Sequence, residues 1–295
     1  MIQFGNYLRL IKFSHTIFAM PFAMIGVVLG FHHLKTEAED VYIDNGFYIY
    51  TFVLVILCMV FARSAAMAFN RYLDRHYDAK NPRTAIREIP SGIISANSAL
   101  WFTIISSLLF VATTWLINRL CFFLSPVALL VVLGYSYTKR FTVLCHFVLG
   151  LGLSLAPIGA YLAVTGSFHW LPILFSCMVF CWVSGFDIIY ALQDVGFDRS
   201  EGLFSIPASL GGEKALLVSR MLHATVVLLL ILTYFIGNMG VWYIVAMVFF
   251  AGMLVLQQRL VKPDDLSKVN IAFFTTNGIA SLVFAVLVII DLFTS

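Results

Sequence analysis

The chain has 295 residues, of which 61% are hydrophobic and 11% charged, with a formal net charge of +3 and a mean hydropathy of +0.95. That composition excludes a water-soluble globular domain of ordinary size, because so few polar groups could not cover its surface. The solvent is lipid, in which each span needs roughly 20 apolar residues.

Taken in chain order, polar and Gly/Pro-bearing breaks divide the sequence into about nine expected helices, roughly 15–34, 46–69, 98–117, 120–138, 143–165, 170–191, 214–236, 240–260 and 270–292. The apolar run Ile17 to Phe31 is as short as a signal-peptide core, but Pro21 interrupts it and no small-residue cleavage site follows, so it reads as a retained first helix. With the N-terminus cytoplasmic, only Lys35 and Arg119 of the 18 Lys and Arg residues fall on the outer face. The positive-inside rule then fixes the orientation and places the C-terminus outside. The acids Glu37, Glu39, Asp40 and Asp44 go to the outer face. Cys58, Cys121, Cys145, Cys177 and Cys181 sit in apolar runs, where a thiol acts as a small hydrophobe. Cys177 and Cys181 have helical spacing but no nearby His or acid to complete a metal site. His15, His146 and His223 are assigned to packing or interfaces.

Two inner loops are longer than the others, one after the second expected helix (70–97) and one after the sixth (192–213). Both carry aspartates. Asn70, Asp74 and Asp78 recur every four residues and therefore share one helical face. Asp194 and Asp198 repeat that spacing, with Asp187 two turns earlier. Each cluster leads into a similar stretch, Ile89-Pro90-Ser91-Gly92 and Ile206-Pro207-Ala208-Ser209, which suggests two related four-helix halves meeting at one site, plus a ninth helix.

A ladder of hard oxygen ligands suits Mg²⁺, which takes a few carboxylates and completes its shell with water and phosphate. A single ladder could equally be a solvated helix end, with Arg71, Arg75 and His76 as surface partners. Two ladders at the ends of membrane helices can hold magnesium ions that bridge a diphosphate and make it a leaving group. Lys80, Arg83 and Arg87 follow the first ladder, and Lys139 and Arg140 close the fourth helix; such cations stabilise charge developing on a departing diphosphate. For Lys80 the positive-inside bias explains the residue equally well. Arg63 lies in an apolar setting seven residues before Asn70, nearly on its face. It needs a partner there, either a carboxylate on a bound substrate or an internal acid such as Asp187.

These residues resemble the UbiA superfamily of intramembrane prenyltransferases. The first aspartate-rich motif matches from Arg63 through Asn70, Asp74 and Asp78 to Arg83-Thr84, Arg87 and Pro90-Ser91-Gly92. The second matches Asp187 through Tyr190, Gln193, Asp194 and Asp198. The segments between them, Tyr135 to Arg140 and Ala156 to Tyr161, match as well. Arg71 departs from the pattern, since many members carry an Asp there. Within the superfamily the chain is most similar to 4-hydroxybenzoate polyprenyltransferases; relatives that prenylate dihydroxynaphthoate acids share nearly the same motifs, including a Ser14-His15-Thr16 opening.

The resemblance implies one all-α transmembrane prenyltransferase domain over 1–295, with its motifs at 70–78 and 187–198, in the cytoplasmic membrane and with its active site facing the cytoplasm. It implies Mg²⁺ held by Asn70, Asp74, Asp78, Asp194 and Asp198, and diphosphate met by Lys80, Arg83, Arg87, Lys139 and Tyr190. Asp187, Arg63, Lys139 and Arg140 are the expected catalytic residues. The expected partners are a polyprenyl diphosphate, an aromatic acid acceptor of respiratory quinone synthesis and the lipid bilayer, with no nucleic acid. The alternative from another class is an ion-coupled transporter, against which the placement of both ladders beside basic inner loops weighs, because coupling sites lie nearer the bilayer midplane.

Overall fold

The computed structural model describes residues 4–11, 18–37 and 44–294. Lys12, the Ser14-His15-Thr16 opening, Glu39, Asp40 and Ser295 lie outside them. Apart from one isolated bridge between Lys262 and Asp265, every regular element among the described residues is helical. In chain order these are α1 (Phe4–Leu10), α2 (Met20–Glu37), α3 (Asn45–Leu73), α4 (Arg75–Lys80), α5 (Ala96–Ile117), α6 (Arg119–Thr138), α7 (Cys145–Thr165) and α8 (Trp170–Ala191). They are followed by α9 (Val195–Ser200), α10 (Ile206–Leu210), α11 (Gly212–Ile236), α12 (Val241–Leu260) and α13 (Asn277–Thr294).

Eight described helices are long and apolar enough to cross a membrane. α2 is the ninth long helix; its last two turns carry His32, His33, Lys35 and Glu37, which dilute its hydropathy. α3 has 29 residues and is therefore about 43 Å long, well beyond the hydrocarbon thickness of about 30 Å. The surplus carries its C-terminal turns, with Asn70, out toward the polar boundary. Helix starts are set by ordinary caps: the side chains of Ser95, Asn118 and Ser205 accept the backbone N–H groups of Ser98, Cys121 and Ala208.

Lipid gives little hydrophobic drive for helix association, so close packing of small residues supplies it. A Cβ on Gly26 of α2 would lie 2.1 Å from the Pro157 carbonyl oxygen of α7, and one on Gly150 of α7 would lie 2.7 Å from the Phe180 carbonyl oxygen of α8. The α8–α11 seam is as tight: a Cβ on Gly185 would lie 2.5 Å from the His223 ring, while Ser219 Oγ donates to the Gly185 carbonyl at 2.8 Å. These contacts bring α2, α7, α8 and α11 round an aromatic core in which Phe22 lies 5.3 Å from Trp182 and Phe250 lies 5.0 Å from Phe284, ring centre to ring centre. Gly26→Val is accordingly expected to cost about 1–3 kcal/mol or more by forcing α2 off α7. A thermal melt of the detergent-solubilised protein checks this; an unchanged midpoint would mean the seam can open freely.

Four departures from the sequence expectations matter for the site. α3 ends at Leu73 and α4 begins at Arg75, so the first ladder crosses a break at Asp74. The spacing survives because Asp78 N–H still donates to the Asp74 carbonyl and Asp74 N–H to that of Asn70. The second ladder likewise passes through a 3₁₀ turn, Leu192–Asp194, into α9. The two Ile-Pro stretches differ, since Ile89 to Gly92 lie in turns whereas Ile206 and Pro207 open the helix α10. Finally, α13 is preceded by a π-helical turn, Ile271–Thr276.

Candidate active site

Both aspartate ladders open into one cavity of about 310 Å³ at the end of the bundle where the loops after α3, α6 and α8 meet. Four carboxylates from the two ladders face it, and each is held by a cation. Arg140 Nη2 lies 3.2 Å from Asp74 Oδ1, Arg87 Nη1 lies 2.5 Å from Asp78 Oδ1, and Lys139 Nζ lies 2.7 Å from Asp198 Oδ1. Arg83 grips Asp194 through both carboxylate oxygens, at 2.9 and 2.7 Å, and also donates to the Tyr190 hydroxyl at 3.2 Å. Asn70 donates to Asp74 Oδ2 at 2.9 Å, and Ser205 Oγ donates to Asp198 Oδ2 at 2.9 Å.

The electrostatics follow from burial and pairing. Burial pushes the Asp74 carboxyl up from its ordinary range, against a lowering by its bond from Arg140. Burial alone would lower the Lys139 ammonium, but Asp198 outweighs it and the net direction is upward. Arg83 behaves alike, with Asp194 and Tyr190 outweighing desolvation. Arg83 and Lys139 therefore enter the cavity charged.

Of the residues expected from sequence, Arg63, Asn70, Asp74, Asp78, Arg83, Arg87, Lys139, Arg140, Asp187, Tyr190, Asp194 and Asp198 all line this cavity. Lys80 does not. Its ammonium is exposed and bonds Glu201 at 2.6 Å across the two loops, on a separate shallow pocket, so it joins the loops rather than facing the cavity. Asp187 does not pair with Arg63. Its Oδ2 instead lies 2.6 Å from Nδ1 of His146, a residue that sequence reasoning assigned to packing. Arg63 Nε is buried and makes no hydrogen bond.

Arg71 is a further correction: only 3% exposed, it lines the cavity 3.9 Å from Asp78 Oδ2 and is no surface partner. The other wall is apolar. Phe18, Met67, Leu149, Leu153, Val183, Phe186, Phe273 and Phe274 line it, and the Phe273 ring stacks against Tyr190 at 4.1 Å. The π-helical turn is what brings two successive phenylalanines to that wall, as such turns do at functional sites.

The donor set fits a hard divalent cation. Asp78 Oδ2 is buried without a hydrogen bond, and Asn70, Asp74 and Asp78 offer oxygens on one face. Among the described residues no three His, Cys, Asp or Glu side chains converge tightly enough to hold an ion by themselves. That pattern suits Mg²⁺, which binds through one or two carboxylates plus water and phosphate.

An all-helical bundle of membrane-length helices, with a cavity that sets paired charges against an apolar wall, defines an intramembrane protein. The family model described as the UbiA prenyltransferase family matches residues 19–279. The chain is 32% identical over 240 residues to a 4-hydroxybenzoate octaprenyltransferase of Aliivibrio fischeri, covering 79% of this chain and 80% of that one. It superposes on the apo structure of a UbiA homolog from Aeropyrum pernix K1 with a TM-score of 0.81 at 31% identity, covering 94% and 98% of the two chains. An Archaeoglobus fulgidus UbiA homolog bound to DMAPP and Mg²⁺ shares the fold, with a TM-score of 0.77 at 21% identity over 98% and 100%. The chain belongs to the UbiA prenyltransferase family.

Proposed function

We propose that this chain transfers a polyprenyl group from a polyprenyl diphosphate to an aromatic acid such as 4-hydroxybenzoate, with Mg²⁺, in respiratory quinone synthesis and with the site facing the cytoplasm. The observation that carries the proposal is the cavity itself: four aspartates from two helix ends, each matched by a cation, lie at the mouth of a pocket whose remaining wall is aromatic and aliphatic. Relatives named as octaprenyltransferases and a fold neighbour bound to a prenyl diphosphate and Mg²⁺ support it.

Asn70, Asp74, Asp78, Asp194 and Asp198 would hold the metal, which when bound neutralises the diphosphate and makes it a better leaving group. The cations now satisfied by carboxylates can then trade partners. Arg83, Arg87, Lys139 and Arg140 would turn to phosphate oxygens while the aspartates would hold the metal, so no charge is left bare. The allylic C–O bond breaks with its electron pair leaving on the diphosphate, and charge accumulating there meets positioned guanidinium and ammonium groups. The prenyl chain lies along the apolar wall, where Phe186, Phe273 and Phe274 exclude water from the allylic carbon and offer π-faces to its positive charge. The acceptor ring attacks through the carbon beside its hydroxyl, and that carbon then loses its proton to the released diphosphate, which restores the aromatic ring. Asp187 accepts the hydrogen bond of that hydroxyl and raises electron density on the ring.

Arg63 supplies the argument for a carboxylate-bearing acceptor. A buried guanidinium whose Nε lacks a partner is costly in a membrane protein, and a bound carboxylate would satisfy it bidentately. Arg63→Lys is expected to raise the acceptor KM by about tenfold or more, since charged hydrogen bonds contribute about 1.5–3 kcal/mol, and to leave the diphosphate KM nearly unchanged. Steady-state kinetics with each substrate varied in turn decide this. A raised diphosphate KM with an unchanged acceptor KM would move Arg63 to the phosphate site. Product masses from a panel of hydroxybenzoates and dihydroxynaphthoates distinguish the two acceptor families.

A further inference from the structure

His146 sits in the first turn of α7, 2% exposed, and the steps above make no use of it. Its two ring nitrogens have different partners. Nδ1 lies 2.6 Å from Asp187 Oδ2, and Nε2 accepts the backbone N–H of Ile206 at 3.3 Å. A backbone N–H can only donate, so Nε2 is the nitrogen that meets Ile206 and Nδ1 is the one that donates to the carboxylate.

The bond orients Asp187. The terminal torsion of a carboxylate is soft, and the bond to Oδ2 locks it, leaving Oδ1 for the cavity that Asp187 lines. The far side of the imidazole is tied to the other half of the site. Ile206 opens α10, and its N-cap Ser205 donates to Asp198 Oδ2, whose other oxygen meets Lys139. One unbroken run of contacts thus joins Asp187 to Asp198.

We propose that His146 is a positioning residue of the acceptor half of the reaction. It holds Asp187 with one oxygen turned to the acceptor hydroxyl, and it anchors that carboxylate to the α10 cap that holds Asp198. His146 itself neither gains nor loses a proton. The proposal rests on Asp187 being the partner of the acceptor hydroxyl, as set out above.

Glutamine carries a donor and an acceptor on one uncharged amide, so it can make both bonds and cannot ionise; leucine can make neither. The test measures prenylation of 4-hydroxybenzoate, with each substrate varied in turn, for wild type, His146→Gln, His146→Leu, Asp187→Asn and the His146→Leu/Asp187→Asn double variant. His146→Gln is expected to keep turnover within about fivefold of wild type, and His146→Leu to lower it by about 10- to 100-fold, the usual loss when an orienting partner is removed. The diphosphate KM stays constant in both. The double variant is expected to be no slower than Asp187→Asn alone within about twofold, because the histidine acts through that carboxylate. Calorimetric titration of 4-hydroxybenzoate without Mg²⁺ should give weaker binding for His146→Leu and near wild-type binding for His146→Gln.

If His146→Leu does not fold, His146→Ser, with room for water, takes its place in the cycle. A His146→Gln variant as slow as Asp187→Asn would make His146 a proton carrier and overturn the proposal. So would additive losses in the double variant, or wild-type turnover in His146→Leu. A folded wild type that forms no prenylated product with any aromatic acid would instead overturn the functional assignment, and the proposal with it.

Discussion

Converting Asp74 and Asp194 together to asparagine is expected to lower turnover by about 1,000-fold or more, since loss of even one group stabilising transition-state charge costs about 100- to 1,000-fold. The pair takes one carboxylate from each ladder. Asp74 answers to Arg140 and Asp194 to Arg83, and both side chains keep some exposure, 29% and 13%. Asparagine preserves their shape and one acceptor oxygen for these arginines, so the fold should hold while the charge that draws in the metal is lost. Release of diphosphate from a polyprenyl diphosphate, with a thermal melt as the control for folding, measures the effect. Turnover near that of wild type, or undiminished by EDTA, would remove the metal site from the account.

Lys139→Met should damage both stability and turnover, because Asp198 is completely buried and Lys139 meets its Oδ1. Breaking a buried pair commonly costs about 3–5 kcal/mol. With a third of the Lys139 side chain exposed, about 2 kcal/mol is the expected loss here. Turnover should fall by about 100-fold, since a cation that meets the departing diphosphate is lost. The two effects separate on addition of Mg²⁺. A divalent cation that reaches Asp198 restores charge balance, so the variant's melting midpoint should gain more from Mg²⁺ than that of wild type, while turnover stays low. Equal gains would mean that Asp198 lies outside the reach of the metal.

The long apolar runs made the bundle legible in the sequence, since an unbroken run of about 20 apolar residues satisfies its own backbone in lipid as a helix. The regular spacing of Asn70, Asp74 and Asp78, and of Asp194 and Asp198, made the charged half of the cavity legible too, because a helical period survives even where α3 breaks at Asp74. What escaped was whatever depends on contact between distant helices. His146 looked like a packing histidine because its partner is on α8 and its other bond reaches the first residue of α10. Arg71 read as a surface residue because nothing local distinguishes a buried arginine from an exposed one at a helix end. Lys80 read as a phosphate ligand by proximity in sequence, yet Glu201 draws it to the loop edge. The aromatic wall was hidden among 28 phenylalanines, and the π-helical turn that selects Phe273 and Phe274 has no evident sequence signal.

Prenyl transfer is tested by mass analysis of the product formed when detergent-purified protein is incubated with Mg²⁺, a polyprenyl diphosphate and 4-hydroxybenzoate. Diphosphate release is expected in step with a product bearing the prenyl group on the ring carbon beside the hydroxyl, and neither without Mg²⁺. Folded protein that releases no diphosphate with 4-hydroxybenzoate or any other aromatic acid would contradict it.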